Sequence, residues 1–340
     1  MAPIRGLGNA SAQEATDLRL ARIVRLLTDH ATVVVSGTKI AEELGASRSE
    51  VWRLIQQLRA NGLAIAGHPA SGYQLETTPD LLLPDILAPF ISGTVFAGQV
   101  RHYFRAGSTN ALALEAGAAG EPEGRVFLAE EQTAGKGRGG HSWYSSLAEG
   151  IYCSVLLRPE LPPAKVLLLS LAAGLAVRSA VIQVTGLTPD LKWPNDLLLG
   201  EKKFCGILTE MHSEATRVRD VVVGVGLNVN QKTFPTEIDQ PATSLLLESG
   251  TQCSRVELAG ALLKSLDREY RAFLADPDAR DSILQRFQEF SSWTNGSAVR
   301  VGDDELFSGI TEGLDSQGFL LVRTSQGVKT VLAGSVRRAK

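Results

Sequence analysis

From Leu20 onward, the apolar residues Leu20, Ile23, Val24 and Leu27 recur at i, i+3, i+4 and i+7, which places one buried stripe on a first helix. A second helix is predicted over residues 39–44, capped by Thr38 and ended by Gly45, whose tolerance of positive φ lets the chain turn sharply. A third begins at Ser47, where Ser47-x-x-Glu50 has the form of a capping box and Val51, Leu54, Ile55 and Leu58 trace one apolar face. Its opposite face carries Arg48, Arg53, Gln56 and Arg59. Two short runs, 63–66 and 73–75, then flank a Gly-His-Pro-Ala-Ser-Gly turn and predict a hairpin. Thr77-Thr78-Pro79 has the composition of a linker.

Beyond it the patterning predicts strands at 101–106, 126–131, 151–157, 191–193, 204–210 and 221–228, with helices at 110–119 and 165–184. That mixture describes an α+β or mixed α/β layer arrangement. Helices follow at 254–274 and 282–290. From Gly296 the strands are short, with turns at Gly302, Gly313-Leu314-Asp315, Gly318 and Gly327.

A length of 340 residues calls for two or three domains, and an apolar content of 44% with a net charge of -3 is that of a globular protein with a sizeable core. The charge argues against nonspecific coating of nucleic acid and leaves room for a small basic reading helix. Cys153, Cys205 and Cys253 show no C-x-x-C spacing, so a reduced compartment is expected. The first 13 residues lack the apolar core of a signal peptide, and no run of about 18 apolar residues is expected to span a bilayer. These readings place the chain in the cytoplasm with no membrane partner.

Two short helices joined at a glycine, the second presenting basic and amide side chains, fit a helix-turn-helix with a hairpin wing, and Ser47, Arg48, Ser49, Arg53 and Gln56 are the residues expected to face DNA. A protein-packing module is the alternative. Farther on, Gly135-Lys136-Gly137-Arg138-Gly139-Gly140 matches G-x-G-x-x-G but precedes no helix, and Gly135-Lys136 lacks the Ser or Thr of a phosphate-binding P-loop. As a basic glycine loop it can still close backbone N–H groups on an anion, with an ordinary surface loop as the alternative. Lys192-Trp193-Pro194-Asn195-Asp196 gathers an ammonium for phosphoryl charge and an amide and carboxylate for a metal on ATP phosphates, or else is a plain turn. Asn228 ends an apolar strand whose glycines allow close approach of a ligand.

Taken in order, these residues resemble the biotin protein ligase family, specifically bacterial members that are also biotin operon repressors. The likeness runs through Ser108-Thr109-Asn110, Gln132 to Trp143, Lys192 to Asp196, Lys203 to Leu208, Gly224 to Asn228 and Thr243-Ser244-Leu245. It implies a multidomain α+β chain with a winged helix-turn-helix at 16–77. A mixed-sheet ligase domain of class II synthetase-like form would occupy 80–290, and an SH3-like β-barrel 291–340. It also implies a two-step reaction: the biotin carboxylate attacks the α-phosphate of ATP, and a lysine of a biotin carboxyl carrier protein domain then attacks the adenylate.

By the same resemblance, Ser108, Thr109, Asn110, Gln132, Gly135, Lys136, Gly137, Arg138, Lys192 and Gly206 would bind biotin. Lys136, Arg138, Trp143, Asn195, Asp196 and Asn228 would bind ATP, Lys192 and Arg138 would be catalytic, and Asn195 and Asp196 would hold Mg2+. The adenylate would act as corepressor for a ligand-dependent homodimer on operator DNA of biotin genes. A biotin sensor without ligase activity and a lipoate or octanoate transferase are the competing readings. Lys136 and His141 stand where the family usually has arginine, which predicts faster escape of the adenylate because the bidentate fork is lost.

Overall fold

The computed structural model describes residues 7–68, 71–77, 80–238, 240–275, 279–302 and 307–339. The predicted stripe is buried on α1 (Leu7–Asp29) and packs with Ile40 of α2 (Gly37–Leu44) and with Val51, Leu54, Ile55 and Leu58 of α3 (Arg48–Ala60). An antiparallel hairpin, β1 (Ile65–His68) and β2 (Gly72–Leu75), closes this small core through Ile65 and Leu75. Parts of the predicted turn and linker, 69–70 and 78–79, lie outside the described residues.

Three local expectations change. Ser36, not Thr38, caps α2 by accepting from Lys39 N at 3.1 Å, because Thr38 already lies within the first turn. Ser47 does cap α3, accepting from Glu50 N at 3.2 Å, but Glu50 pairs with Arg19 of α1 and lies 3.8 Å from Arg53. The glutamate thus joins two helices where a capping box was expected. Arg59 also leaves the outward face: its Nε and Nη2 donate to Ile65 O at 3.0 and 2.8 Å, fastening the wing to α3.

The chain enters the central domain through Leu81, Leu82 and Leu83. Leu81 and Leu83 pack into the small N-terminal core and Leu82 into the large one, the two-residue alternation of an extended segment. Next come α4 (Pro84–Leu87), β3 (Val100–Tyr103), α5 (Thr109–Ala118), β4 (Val126–Ala129), β5 (Gly150–Leu157) and α6 (Val166–Thr185). They are followed by β6 (Asp190–Lys192), β7 (Asp196–Leu199), β8 (Lys202–Ser213), β9 (Val218–Asn228), α7 (Leu245–Ser249), α8 (Arg255–Ala275) and α9 (Ala279–Glu289). The sheet order is β3-β4-β5-β9-β8-β7-β6, parallel only between β3 and β4.

Alternate residues divide the sheet between two layers. Val126, Leu128, Val155 and Val223 meet the α6 and α8 side, whereas Phe127, Ala129, Leu156 and Val222 pack with Ala113 and Ala116 of α5. Every residue of β5 is buried because both faces are covered. Helix α6 corrects the expectation about apolar runs: Pro163–Thr185 is long and apolar enough to cross a bilayer, but 72% of its most apolar window is buried. It is apolar on nearly all sides because sheet, α8 and α9 surround it.

The last strands, β10 (Asn295–Val301), β11 (Phe307–Leu314), β12 (Leu320–Thr324), β13 (Gly327–Val331) and β14 (Val336–Arg338), form an antiparallel sheet in the order β13-β12-β11-β10-β14. Its Val299, Leu320 and Val322 join the core of the central domain, and Trp193 Nε1 donates to Gly318 O at 2.9 Å.

Candidate functional site

The site starts from glycines on two paired strands. Gly206 of β8 faces Gly226 of β9, and Leu208 faces Gly224. A Cβ at Gly224 would lie 1.9 Å from Asn110 Oδ1, and one at Gly226 would lie 2.5 Å from the Trp143 indole. Hydrogen at these positions is what lets a side chain lie flat on the sheet.

Over this strip stands the first turn of α5. Ser108 occupies the N-cap position, is buried, and makes no capping hydrogen bond, so its hydroxyl remains available to the cavity it lines. Gln132 Oε1 accepts from Thr109 N at 2.8 Å and Thr109 Oγ1 at 3.1 Å, while Gln132 Nε2 donates to Ser145 Oγ at 3.0 Å. Ser154, fully buried on β5, reaches Thr109 Oγ1 at 2.8 Å and Asn110 Oδ1 at 2.6 Å. Asn110 Nδ2 donates to Glu210 Oε2 at 2.8 Å and Leu208 O at 3.2 Å. The result is a fixed row of hydroxyl and amide groups suited to a polar, uncharged heterocycle.

The basic glycine loop is folded as a small hairpin. Trp143 N donates to Gly135 O at 2.9 Å, Gly137 N donates to His141 O at 2.7 Å, and Lys136 bridges Ser142. Arg138 Nη1 extends to Gly334 O of the C-terminal sheet at 3.5 Å. With Trp143 lying on Gly206 and Gly226, the cavity volume is about 40 Å³. Ligand clefts are typically about 300–1,000 Å³, so with Trp143 seated on the strip the cavity is smaller than a ligand cleft.

Ten predicted residues converge here: Ser108, Thr109, Asn110, Gln132, Lys136, Gly137, Arg138, Trp143, Asn195 and Gly206 line one cavity. Gly135 sits just behind, where a Cβ would strike Trp143 O at 2.5 Å. Asn195 is clamped on both sides, its Nδ2 donating to Ile207 O and its carbonyl accepting from Ile207 N, each at 2.8 Å.

Besides Gly135, three predicted residues stand outside the lining. Asn228 is buried and donates to Thr243 O at 3.0 Å, tying down the segment before α7. Lys192 pairs with Asp196 across β6 and β7, and its ammonium lies 4.8 Å from the Trp293 ring centroid. Burial lowers its pKa against the opposing pull of Asp196. Asp196 is itself held by Lys203, whose Nζ is 2.6 Å from Oδ1.

Lys203 is the lysine from β8 that reaches the cavity wall, 5.5 Å from the Trp143 centroid. Its signal was present in the sequence, a lysine three residues before the strand glycine, but strand pairing was needed to place it. Ser154 was likewise a lone polar residue in an apolar strand.

The strand delivering Gln132 is anchored by a buried charge network. Glu130 accepts from Leu82 N and His102 Nε2, both at 2.9 Å, and from Arg255 Nη1 at 2.7 Å. Burial acts to raise the Glu130 pKa, but Arg255 and His102 outweigh it and hold the carboxyl down at about 2. Arg255 also donates to Asp80 O, and Asp80 accepts from Arg255 N at 2.9 Å.

In the N-terminal domain, Arg48, Ser49 and Arg53 are exposed along α3, Gln56 is half-buried, and exposed Ser47 shares a hydrogen bond with Ser49 at 3.0 Å.

Comparison with known proteins covers the whole architecture. The biotin/lipoate A/B protein ligase family matches residues 105–228, an HTH domain matches 19–74, and the biotin protein ligase C-terminal domain matches 294–337. A bifunctional ligase/repressor BirA of Bacillus spizizenii is 33% identical over 92% of this chain and 97% of its own length. The protein of the same description from Escherichia coli is 30% identical over 88% and 92% respectively. The structure of an Aquifex aeolicus biotin protein ligase in complex with biotin and ATP is 29% identical, with a TM-score of 0.62 over 71% of this chain and 100% of that one.

Proposed function

The chain belongs to the biotin/lipoate A/B protein ligase family, and from that membership we propose that the cavity over the glycine strip makes biotinyl adenylate and releases it to a lysine of a biotin carboxyl carrier protein domain. It is an ATP-dependent biotin ligase with a repressor's DNA-binding domain. The observation that carries the reading is the meeting, in one cavity, of the hydroxyl and amide row with three cations, Lys136, Arg138 and Lys203.

Chemistry follows from that juxtaposition. Ser108, Thr109, Asn110 and Gln132 grip the ureido ring, so the valeryl carboxylate is aimed along the glycine strip. The cations offset its repulsion from the α-phosphate and stabilise charge as oxygen attacks phosphorus and pyrophosphate leaves. No enzyme nucleophile is required. The acceptor amine then attacks the acyl carbon, expelling AMP. Lys192 and Arg138 serve as the catalytic cations, Lys192 standing beside the site on the Trp293 ring, in register with Asp196 on the neighbouring strand. Trp143 leaves the glycine floor and covers the ligand.

Among the described residues no group of three or more His, Cys, Asp or Glu converges. Asn195 and Asp196 instead offer the few oxygen donors that Mg2+ takes when phosphates and water complete its shell, and the ion would neutralise phosphate charge. The three cysteines are buried and free, which supports a reducing cytoplasmic setting. The adenylate acts as corepressor, favouring a homodimer on the operator of biotin genes. Mass spectrometry of a carrier domain incubated with the protein, biotin and ATP tests the reading. One added biotinyl group on one lysine is expected, and an unchanged mass contradicts it.

A further inference from the structure

The recognition helix carries a residue that neither packing nor charge explains. Trp52 of α3 is 57% exposed. Among the described residues it makes no hydrogen bond and no ring contact. It lies three residues after Ser49 and four before Gln56, so all three share one side of the helix. Arg48 and Arg53 flank it, and the buried residues Val51, Leu54, Ile55 and Leu58 hold the helix with that side outward.

The indole presents a flat apolar surface among the hydrogen-bond donors of this helix face, and a major-groove surface offers it a matching partner. Arginine and glutamine side chains read guanine and adenine edges, while the thymine C5-methyl is the apolar feature of the groove. Resting on the reading of this domain as a DNA reader, we propose that Trp52 sets sequence preference by packing on a thymine methyl, with Gln56 and Arg53 reading the adjoining bases and Arg48 fixing the helix on phosphate.

The test uses the full chain with biotin and ATP. Selection from a random-sequence duplex library defines the preferred site for wild type, Trp52→Phe and Trp52→Ala. Wild type is expected to select thymine at one position of each half-site, Trp52→Ala to lose that preference, and Trp52→Phe to keep it. Replacing that thymine by deoxyuridine, which lacks only the methyl, is expected to weaken wild-type binding about fourfold per half-site, the value of one buried methyl group. Binding by Trp52→Ala should not respond. A helical circular-dichroism signal and an N-terminal-domain melting transition equal to those of wild type would show that the variants are folded. Identical selected sites for wild type and Trp52→Ala, or equal sensitivity to deoxyuridine, would overturn the role of Trp52. Failure of wild type to enrich any duplex would instead remove the DNA-reading function itself, and the proposal with it.

Discussion

The division of labour between two lysines is a question for single side chains. Lys203 lines the cavity and neutralises Asp196, while Lys192 rests against Trp293 with its charge disfavoured by burial. A lysine already in contact with the ligand's surroundings affects binding, whereas one recruited for the reaction affects turnover. Lys203→Met is therefore expected to raise the KM for ATP with a small change in kcat. Lys192→Ala should lower kcat roughly 10²- to 10³-fold, the usual cost of removing one group that stabilises charge in the transition state. Steady-state kinetics of pyrophosphate release separate the two. Lys136 is a point charge on the exposed side of the hairpin, so Lys136→Arg is expected to slow adenylate dissociation several-fold in a stopped-flow chase. An unchanged rate would show that the guanidinium fork is not what retains the intermediate. The residue types and their order were legible in the sequence, because each motif is contiguous. Lys203, Ser154 and Glu210 were not, because their roles depend on which strands pair.

Among the elements, the glycine strip on β8 and β9 shows how close the packing is. Ser154, Glu210 and Leu208 fix Asn110, so Gly224→Ala places a methyl where the amide oxygen cannot retreat. The protein should still fold, and biotin affinity measured by calorimetry should fall roughly ten- to a hundredfold, the cost of leaving a polar contact unsatisfied. Near-normal affinity would mean that Asn110 does not touch the ligand. Helices α1, α3, α6 and α8 and the long strands were legible from periodicity, since each buries a stripe or a full face. The two-residue extension of α2 toward Ser36, the strand β7 and the short α7 were not. A Pro-Asn-Asp turn hides β7, and propensity alone does not identify a four- or five-residue element.

Across the whole molecule, Glu130, Arg255 and Asp80 clamp the segment leaving the DNA-binding domain to the end of β4, from which the chain runs on to Gln132. Arg255→Ala leaves a buried carboxylate uncompensated and is expected to cost about 3–5 kcal/mol in denaturant unfolding, a much larger effect than loss of a surface pair. The acid limb follows from the same group. Because the folded carboxyl of Glu130 titrates near 2 and an unfolded one near 4.5, its contribution is complete above about pH 4.5 and is lost as pH falls toward 2. Melting scans across that range should show the loss in wild type and a flatter dependence in Glu130→Gln. The three-part order of the chain was legible from motif order. The merging of the last sheet with the central core through Val299, Leu320 and Val322 was not, since it depends on residues far apart in sequence. The most direct test of the central claim is exchange of labelled pyrophosphate into ATP by the purified chain. Exchange is expected to require biotin, to be unsupported by lipoate or octanoate, and to fall by roughly the same 10²- to 10³-fold in Lys192→Ala. Exchange without biotin, or none with it, would contradict the assignment of this cavity as the site of adenylate formation.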